Sequence, residues 1–334
     1  ASCSPELLES LQQLFAVPSG FTYCCDGPLD LKAWFQIAEM RGFEELQIKP
    51  WPSVTSPQID PSVNIFDQIK QNDIILHHPF HSFDPVITFI ETAAADPHVL
   101  AIKQTLYRTS RQSPIIDALV AAAKNGKSVT VIIELKARFD EARNIVGAQR
   151  LEQAGVHVIY GVRGFKTHAK TLIVIRREPQ GICRYMHFGT GNFNEATARL
   201  YTDISLFTCD PVLGNDAIAF FNAVTGRTQP QRLESLCMAP LGMRQRILDL
   251  ITFETKQAAK GRESGITAKL NSLVDPQIIK ALYKASQAGV KIDLNVRGVC
   301  CLQPSVDGQS ENIRVISIID RLLEHSRIMH FVHA

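Results

Sequence analysis

The sequence predicts an α/β protein of two similar halves, each a mostly parallel sheet flanked by helices, preceded by the end of a helical domain. Three observations predict it. Apolar, β-branched runs of strand length alternate with amphipathic stretches of helix length, which is the pattern of βαβ units. One unit occurs twice: Ile115-Ile116-Asp117-Ala118-Leu119 returns as Ile278-Ile279-Lys280-Ala281-Leu282, and Gly126 returns as Gly289. Each copy then leads to a histidine two residues ahead of a base, His168-Ala169-Lys170 in the first and His325-Ser326-Arg327 in the second.

Residues 1–54 hold an amphipathic, Leu-rich helix from Ser4 to Phe15, then Pro and Gly turns and a helix around Leu31–Arg41. The apolar run Ile74 to Leu76 enters His77-His78-Pro79-Phe80-His81-Ser82-Phe83-Asp84. Three histidines and an aspartate admit a metal reading, but Pro79 breaks the i, i+4 spacing of a helical zinc pair; the alternative is an ordered loop before a helix over Pro85–Ala94. The first half follows: strand Val99–Gln104, Ser113-Pro114 as cap and first helical residue, helix Ile115–Lys124, Gly126 as its stop, and strand Ser128–Glu134. Helix Glu141–Ala154, the stop Gly155 and strand Val156–Tyr160 extend the alternation. Thr171–Ile175, Arg184–Phe188 and Tyr201–Phe207 read as further strands, and Asp210-Pro211 caps a helix that ends near Gly226. Residues 227–240, with Pro230 and Pro240, read as a linker. The second half has a long helix Met243–Lys260, strand Ile266–Leu270, the cap Asp275-Pro276 with its helix, and strand Lys291–Val296.

A length of 334 residues suits roughly two domains. The formal charge of +2 makes no global polycation, so any anion site is local and no nucleic-acid partner is expected. The eight cysteines include no C-x-x-C pair, which suits a reduced, cytoplasmic protein. No apolar run approaches the ~18 residues of a membrane span. The start at Ala-Ser-Cys and the end in Phe331-Val332-His333-Ala334, where a strand begins, read as a fragment of a longer protein.

His168 and Lys170 stand at the entrance to the strand run Thr171–Ile175, where residues two apart share a face. A neutral imidazole attacks phosphorus well, and a neighbouring ammonium both holds an anionic substrate and favours the unprotonated ring. Gly189-Thr190-Gly191-Asn192 follows a strand; its glycines let backbone amides approach an anion, and Thr190 and Asn192 add side-chain donors. Arg108, Arg138 and Arg297 stand just beyond strand C-terminal ends, where ligands of open α/β sheets bind and where guanidinium groups suit phosphate oxygens. Tyr201 opens a strand and could pack in the core or stack a base. Asp320 and Glu324, close in sequence to His325, would stabilise its imidazolium form. Gly126-Lys127-Ser128 ends like a P-loop, but it lies between helix and strand in the wrong order and reads as a helix stop.

His168-Ala169-Lys170 with Gly189-Thr190-Gly191-Asn192, echoed in a second half, resembles the phospholipase D superfamily. More closely, His77-His78-Pro79-Phe80, Lys103-Gln104-Thr105-Leu106-Tyr107-Arg108, Glu134-Leu135-Lys136-Ala137-Arg138-Phe139-Asp140-Glu141 and Glu324-His325-Ser326-Arg327 resemble the bacterial polyphosphate kinases, over about residues 55–330. The resemblance implies two phospholipase D-like α/β domains, 55–235 and a truncated 236–334, with 1–54 as the end of a preceding helical domain. It implies reversible transfer of the terminal phosphate of ATP to inorganic polyphosphate, with Mg2+, through a phosphohistidine. His168 would be the nucleophile and His325 the acid/base histidine. Arg108 and Arg138 would hold phosphate with its Mg2+, while Tyr201, Arg297, Lys170 and Asn192 would meet nucleotide or phosphate. ATP/ADP and polyphosphate would be the partners of a cytoplasmic homo-oligomer whose parent protein associates peripherally with membrane. Two departures stand out: Ile175 replaces the superfamily's acidic residue five positions after the lysine, and Arg327 replaces a lysine. The alternatives are a phospholipase D-type phosphodiesterase or nuclease, and a non-catalytic polyanion-binding module.

Overall fold

A computed structural model of the chain describes residues 3–27, 30–38, 40–49, 51–107, 113–134, 141–162, 164–226 and 232–333. The chain separates into two compact units, Ala1–Pro50 and Trp51–Ala334. In the first, Ser4 caps α1 (Pro5–Phe15) by accepting the Leu7 amide at 3.2 Å, and Pro5 supplies the first helical residue. The helix expected over Leu31–Arg41 is a 3-10 turn, Leu31–Trp34, followed by the single turn α2 (Phe35–Ala38). Trp, Phe and Ile in that run are weak helix formers.

The second unit runs α3 (Ile65–Gln71), β1 (Ile74–His78), α4 (Asp84–Ala95), β2 (Val99–Leu106), α5 (Pro114–Lys124), β3 (Ser128–Ile133), α6 (Glu141–Gln153), β4 (His157–Tyr160) and β5 (Thr171–Glu178). It continues through β6 (Gly181–Gly189), β7 (Tyr201–Thr208), α7 (Pro211–Val224), α8 (Met243–Ala258), β8 (Gly265–Leu270), α9 (Pro276–Gln287), β9 (Lys291–Val296), β10 (Ile313–Ile316), β11 (Leu323–Glu324) and β12 (Ile328–Phe331). Side chains of Ser113, Asp210 and Asp275 cap α5, α7 and α9, each ahead of a proline. Gly126, Gly155 and Gly289 take positive φ of 80°, 85° and 93° after α5, α6 and α9, the conformation that ends a helix and that glycine adopts without strain.

The first sheet has the order β1-β7-β6-β5-β2-β3-β4, with β11 added to β7. Its strands are mixed, not mostly parallel. β2, β3 and β4 are parallel because α5 and α6 carry the chain back across the sheet between them. β5 and β6 form a tight hairpin and β7 and β1 continue it, so every pair from β2 through β5, β6 and β7 to β1 is antiparallel. A short turn cannot join parallel neighbours, and the apolar runs of β5 to β7 carry no information on direction. Leu172 and Val174 point into a core with α3 to α6, while Ile173 points to Ala217 and Phe221 of α7; both faces are covered, hence the unbroken apolar run.

The second sheet, β10-β9-β8-β12, repeats the plan: β8-α9-β9 is a parallel crossover, and β12 lies antiparallel to β8 as β5 lies antiparallel to β2. β11 joins the halves, pairing Leu323 with Tyr201 and Glu324 with Thr202. The C-terminal ends of β2, β3 and β6 and the starts of β5 and β7 therefore meet at one end of the first sheet, and β11 brings the second half's histidine to it.

Candidate active site

His168 and Lys170 lie in the extended segment that enters β5, ahead of the strand itself. Two side chains fix that segment. The buried Glu134, just past β3, accepts the Thr167 amide at 2.8 Å, and the Thr105 hydroxyl of β2 donates to the Ala169 carbonyl at 2.7 Å while accepting the Thr171 amide at 3.1 Å. Lys170 is buried, donating from Nζ to the His168 carbonyl at 2.5 Å, and lies over the Tyr107 ring at 5.1 Å. The His168 ring meets the same tyrosine edge-on, with centroids 4.9 Å apart. Desolvation by the cleft walls lowers the His168 pKa to about 3, and the positive charges of Lys170, Arg327, His325 and Lys166 act in the same direction. The ring is therefore unprotonated at neutral pH.

His325 is buried beside Tyr201, ring centroids 5.2 Å apart, and its Nδ1 lies 2.9 Å and 3.0 Å from the two oxygens of Asp203. A carboxylate only accepts, so Nδ1 carries the proton and Nε2 is left for chemistry. The carboxylate partner thus comes from β7 of the other half. Glu324 instead pairs with Lys269 and accepts the Thr202 hydroxyl at 3.0 Å, and Asp320 accepts the Arg321 amide at 2.7 Å. Sequence reasoning missed Asp203; the available signal was an acidic residue inside the apolar strand run Tyr201–Phe207.

The Gly189–Asn192 turn serves that aspartate. The Thr190 hydroxyl donates to Asp203 Oδ1 at 2.6 Å and accepts the Ile204 amide at 2.9 Å, so it is not a free donor for phosphate. A Cβ on Gly191 would stand 2.6 Å from Asp203 Oδ2, which only glycine avoids. Asn192 is buried, and its Oδ1 has no hydrogen-bond partner. In the second half, Arg297 donates from Nε to Asn271 Oδ1 at 2.9 Å and lies near enough to Arg327 for their charges to interact. Arg327 itself donates to the His325 carbonyl at 3.0 Å. Desolvation, with Arg297 acting in the same direction, holds the pKa of its guanidinium below the ordinary value. Arg108 and Arg138 lie outside the described residues. His78 bonds Ser205 Oγ at 2.9 Å and the His81 carbonyl at 3.0 Å, and no cluster of three or more His, Cys, Asp or Glu able to hold a metal occurs among the described residues. No described helix is long and apolar enough to cross a membrane. Lys127 is buried with its Nζ on the Asp96 carbonyl at 2.5 Å, as a helix-stop lysine and not a phosphate ligand.

His168, Lys170 and Arg327 line one end of a cavity of about 630 Å³. His325 does not line this cavity but lies near enough to His168 for their charges to interact, so one neutral histidine and one held by a carboxylate stand close together. That arrangement can attack phosphorus from one side and manage a proton on the other.

Comparison with known proteins agrees with this geometry. Residues 64–230 match the family "Polyphosphate kinase C-terminal domain 1" and residues 236–334 match "Polyphosphate kinase C-terminal domain 2". The chain is similar to polyphosphate kinases of Rhodopirellula baltica (57% identity over 100% of this chain and 39% of that protein) and Synechocystis (52%, over 92% and 45%). A crystal structure of polyphosphate kinase from Porphyromonas gingivalis superposes with a TM-score of 0.81 at 34% identity, over 98% of this chain and 53% of that one. The chain spans about half or less of the length of these relatives. Two family domains fill the chain from residue 64 to its last residue, and the chain belongs to the polyphosphate kinase family.

Proposed function

We propose that this chain carries the phosphoryl-transfer site of a polyphosphate kinase, which moves the terminal phosphate of ATP reversibly onto inorganic polyphosphate. The observation that supports the proposal is the proximity of a neutral His168, on a cation-lined cavity, to a carboxylate-held His325. The unprotonated nitrogen of His168 attacks the γ-phosphorus, the bond to the bridging oxygen breaks, and ADP leaves. A terminal oxygen of polyphosphate then attacks the phosphohistidine, lengthening the chain by one phosphate and freeing His168. His325 gives or takes the proton on the departing or entering oxygen. Lys170 and Arg327 offset the charge that spreads over the transferring group. Tyr201, Arg297 and Asn192 contact nucleotide or phosphate. Arg108 and Arg138 would hold phosphate oxygens beside Mg2+, which would supply further positive charge to the transferring group. We assign residues 55–235 and 236–334 as the two catalytic domains and 1–54 as the end of a helical domain. The full-length protein is placed in the cytoplasm as a homo-oligomer with peripheral membrane association.

The test is incubation of the full-length protein with γ-labelled ATP. Acid-labile, alkali-stable label on His168, chased into polyphosphate, is the expected result. Label passed only to water would mark a phosphodiesterase-type hydrolase. Polyphosphate binding without labelling would mark a polyanion-binding module.

A further inference from the structure

Two cysteines far apart in sequence meet at the end of the first sheet that lies away from His168. Cys183 is in β6, and Cys209 directly follows β7. The antiparallel register pairs Met186 with Thr208, so one step further sets Tyr185 opposite Cys209. Cys183, two residues before Tyr185, shares its face, and all three side chains pack on the core that α3 also covers. The two sulfurs come within hydrogen-bonding reach of each other, and the Cys209 thiol lies 3.6 Å from the Ile69 carbonyl of α3. Both thiols are half-buried, so small molecules in solvent reach the pair. The Lys70 ammonium, bonded to Glu178 at 2.8 Å, stands close enough to both sulfurs for its charge to act on them, and Asp73 acts on Cys209. Burial, and then the neighbouring Cys183, raises the Cys209 pKa above that of a free thiol, which leaves Cys183 to form the attacking thiolate. A small apolar residue would fill either place as well. What two touching thiols add is a reaction.

We propose that Cys183 and Cys209 form a redox site that closes to a disulfide under small disulfide oxidants and reopens under small thiols. The Cys183 thiolate, its proton given to solvent, attacks one sulfur of a disulfide R–S–S–R, forms a mixed disulfide and expels one R–S⁻. Cys209 then gives its proton to solvent and attacks the Cys183 sulfur, expelling the second R–S⁻. Both leaving thiolates take up a proton, so two protein thiols are oxidised to one disulfide while R–S–S–R is reduced to two thiols. The second step is intramolecular, and the pairing of β6 with β7 holds its partners together in advance. The bond would tie the far ends of two strands whose other ends carry the Gly189–Asn192 turn and Asp203. It closes that stretch into one loop, which restricts the opened chain more than the folded one.

The test treats the full-length protein with glutathione disulfide, alkylates the remaining thiols and maps the tryptic peptides without reduction. Peptides 178–184 and 200–227, which hold Cys183 and Cys209, should be recovered joined to each other, and dithiothreitol should separate them. In protein unfolded by urea, where the strands no longer hold the thiols together, the same linkage should form at least about tenfold less. Cys209→Ser should halt at the mixed disulfide, with glutathione retained on Cys183. Hydrogen exchange at the β6 and β7 amides should slow by about fivefold or more in the oxidised protein. Recovery of both cysteines alkylated in the folded protein would overturn the proposal, as would glutathione retained on Cys183 when Cys209 is present. Equal linkage in folded and unfolded protein would show that the strands do not bring the thiols together. Unchanged exchange after linkage would show that the bond does not tie β6 to β7.

Discussion

His168 is kept neutral by what surrounds it. An imidazole in water is half protonated near pH 6.5. Here the cleft walls, and then Lys170, Arg327, His325 and Lys166, push that midpoint to about 3, so the ring stays neutral through the physiological range. With histidine rings labelled at Cε1, the His168 resonance, assigned by its loss in His168→Ala, should not titrate between pH 8 and 5; a midpoint between 6 and 7 would mean the surrounding charges do not act as placed. His168→Ala should also abolish phosphoenzyme formation and chain growth, because the acid-labile, alkali-stable label expected of a phosphohistidine cannot form on the Cys237 thiol or on the threonine hydroxyls that also line the cavity; such label still incorporated by that variant would disprove the assignment. Asp203 touches His325, and on the proposed function it is a positioning residue. Asp203→Asn replaces a charge-assisted bond worth ~1.5–3 kcal/mol, so turnover should fall roughly 10- to 100-fold. Because Asp203 acts through His325 and is not itself one of the proposed nucleotide contacts, kcat should drop more than KM for ATP rises. Equal losses in both parameters would make Asp203 a substrate-binding group instead.

Among the elements, the Gly189–Asn192 turn ties backbone geometry to His325 through Asp203. Thr190 grips Asp203 and Gly191 makes room for it, so the turn, β7 and His325 behave as one part. Gly191→Ala should force Asp203 aside and reproduce the Asp203→Asn loss of kcat, at a cost of about 1–3 kcal/mol in stability measured by urea unfolding. Full activity in that variant would show that the carboxylate is free to shift. The βαβ units were legible from sequence because their signals are local: Ser113, Asp275 and the prolines after them cap helices, and Gly126 and Gly289 end them. The direction of β5 to β7 was not legible, since hairpin and crossover strands carry the same apolar runs. β10 and β11 were missed because they are short and, in part, exposed, and the strand expected to begin at Phe331 is β12, which ends there. His168, His325 and Lys170 were legible as a repeated motif. The Asp203–His325 bond was not, because a contact between residues so far apart in sequence is made only by the pairing of β11 with β7. The same holds for Thr105 and Glu134, which orient the His168 segment from two other strands.

At the scale of the whole molecule, the halves are sewn together by β11 on β7 and by Lys269, Glu324 and Thr202, so stability and site integrity depend on one structure. Its sensitivity to acid follows from histidines buried in the neutral state. His187 of β6 is packed between Phe193 and Phe207 with neither ring nitrogen bonded, and desolvation holds its pKa at about 3. His78, also buried, is lowered in the same direction by desolvation. In the unfolded chain each ring takes up a proton near 6.5. Below that value the unfolded state binds protons that the folded state refuses, so stability is complete above about pH 6.5 and is lost as pH falls toward the folded midpoint. Each such histidine contributes a slope approaching ~1.4 kcal/mol per pH unit. Glu178, whose partners Lys70, Tyr185 and Arg176 hold it at about 2 against its burial, begins to contribute only below the ordinary carboxylate range near 4.5. The window from pH 6.5 to 5 therefore isolates the histidines. His187→Leu keeps the site apolar and removes one titrating group. Its stability at pH 7 may be read from urea midpoints, but the informative quantity is the slope, which should fall by about one proton's worth between pH 6 and 5. An unchanged slope would mean that His187 is protonated in the folded protein, and that the space around it holds a partner for the charge.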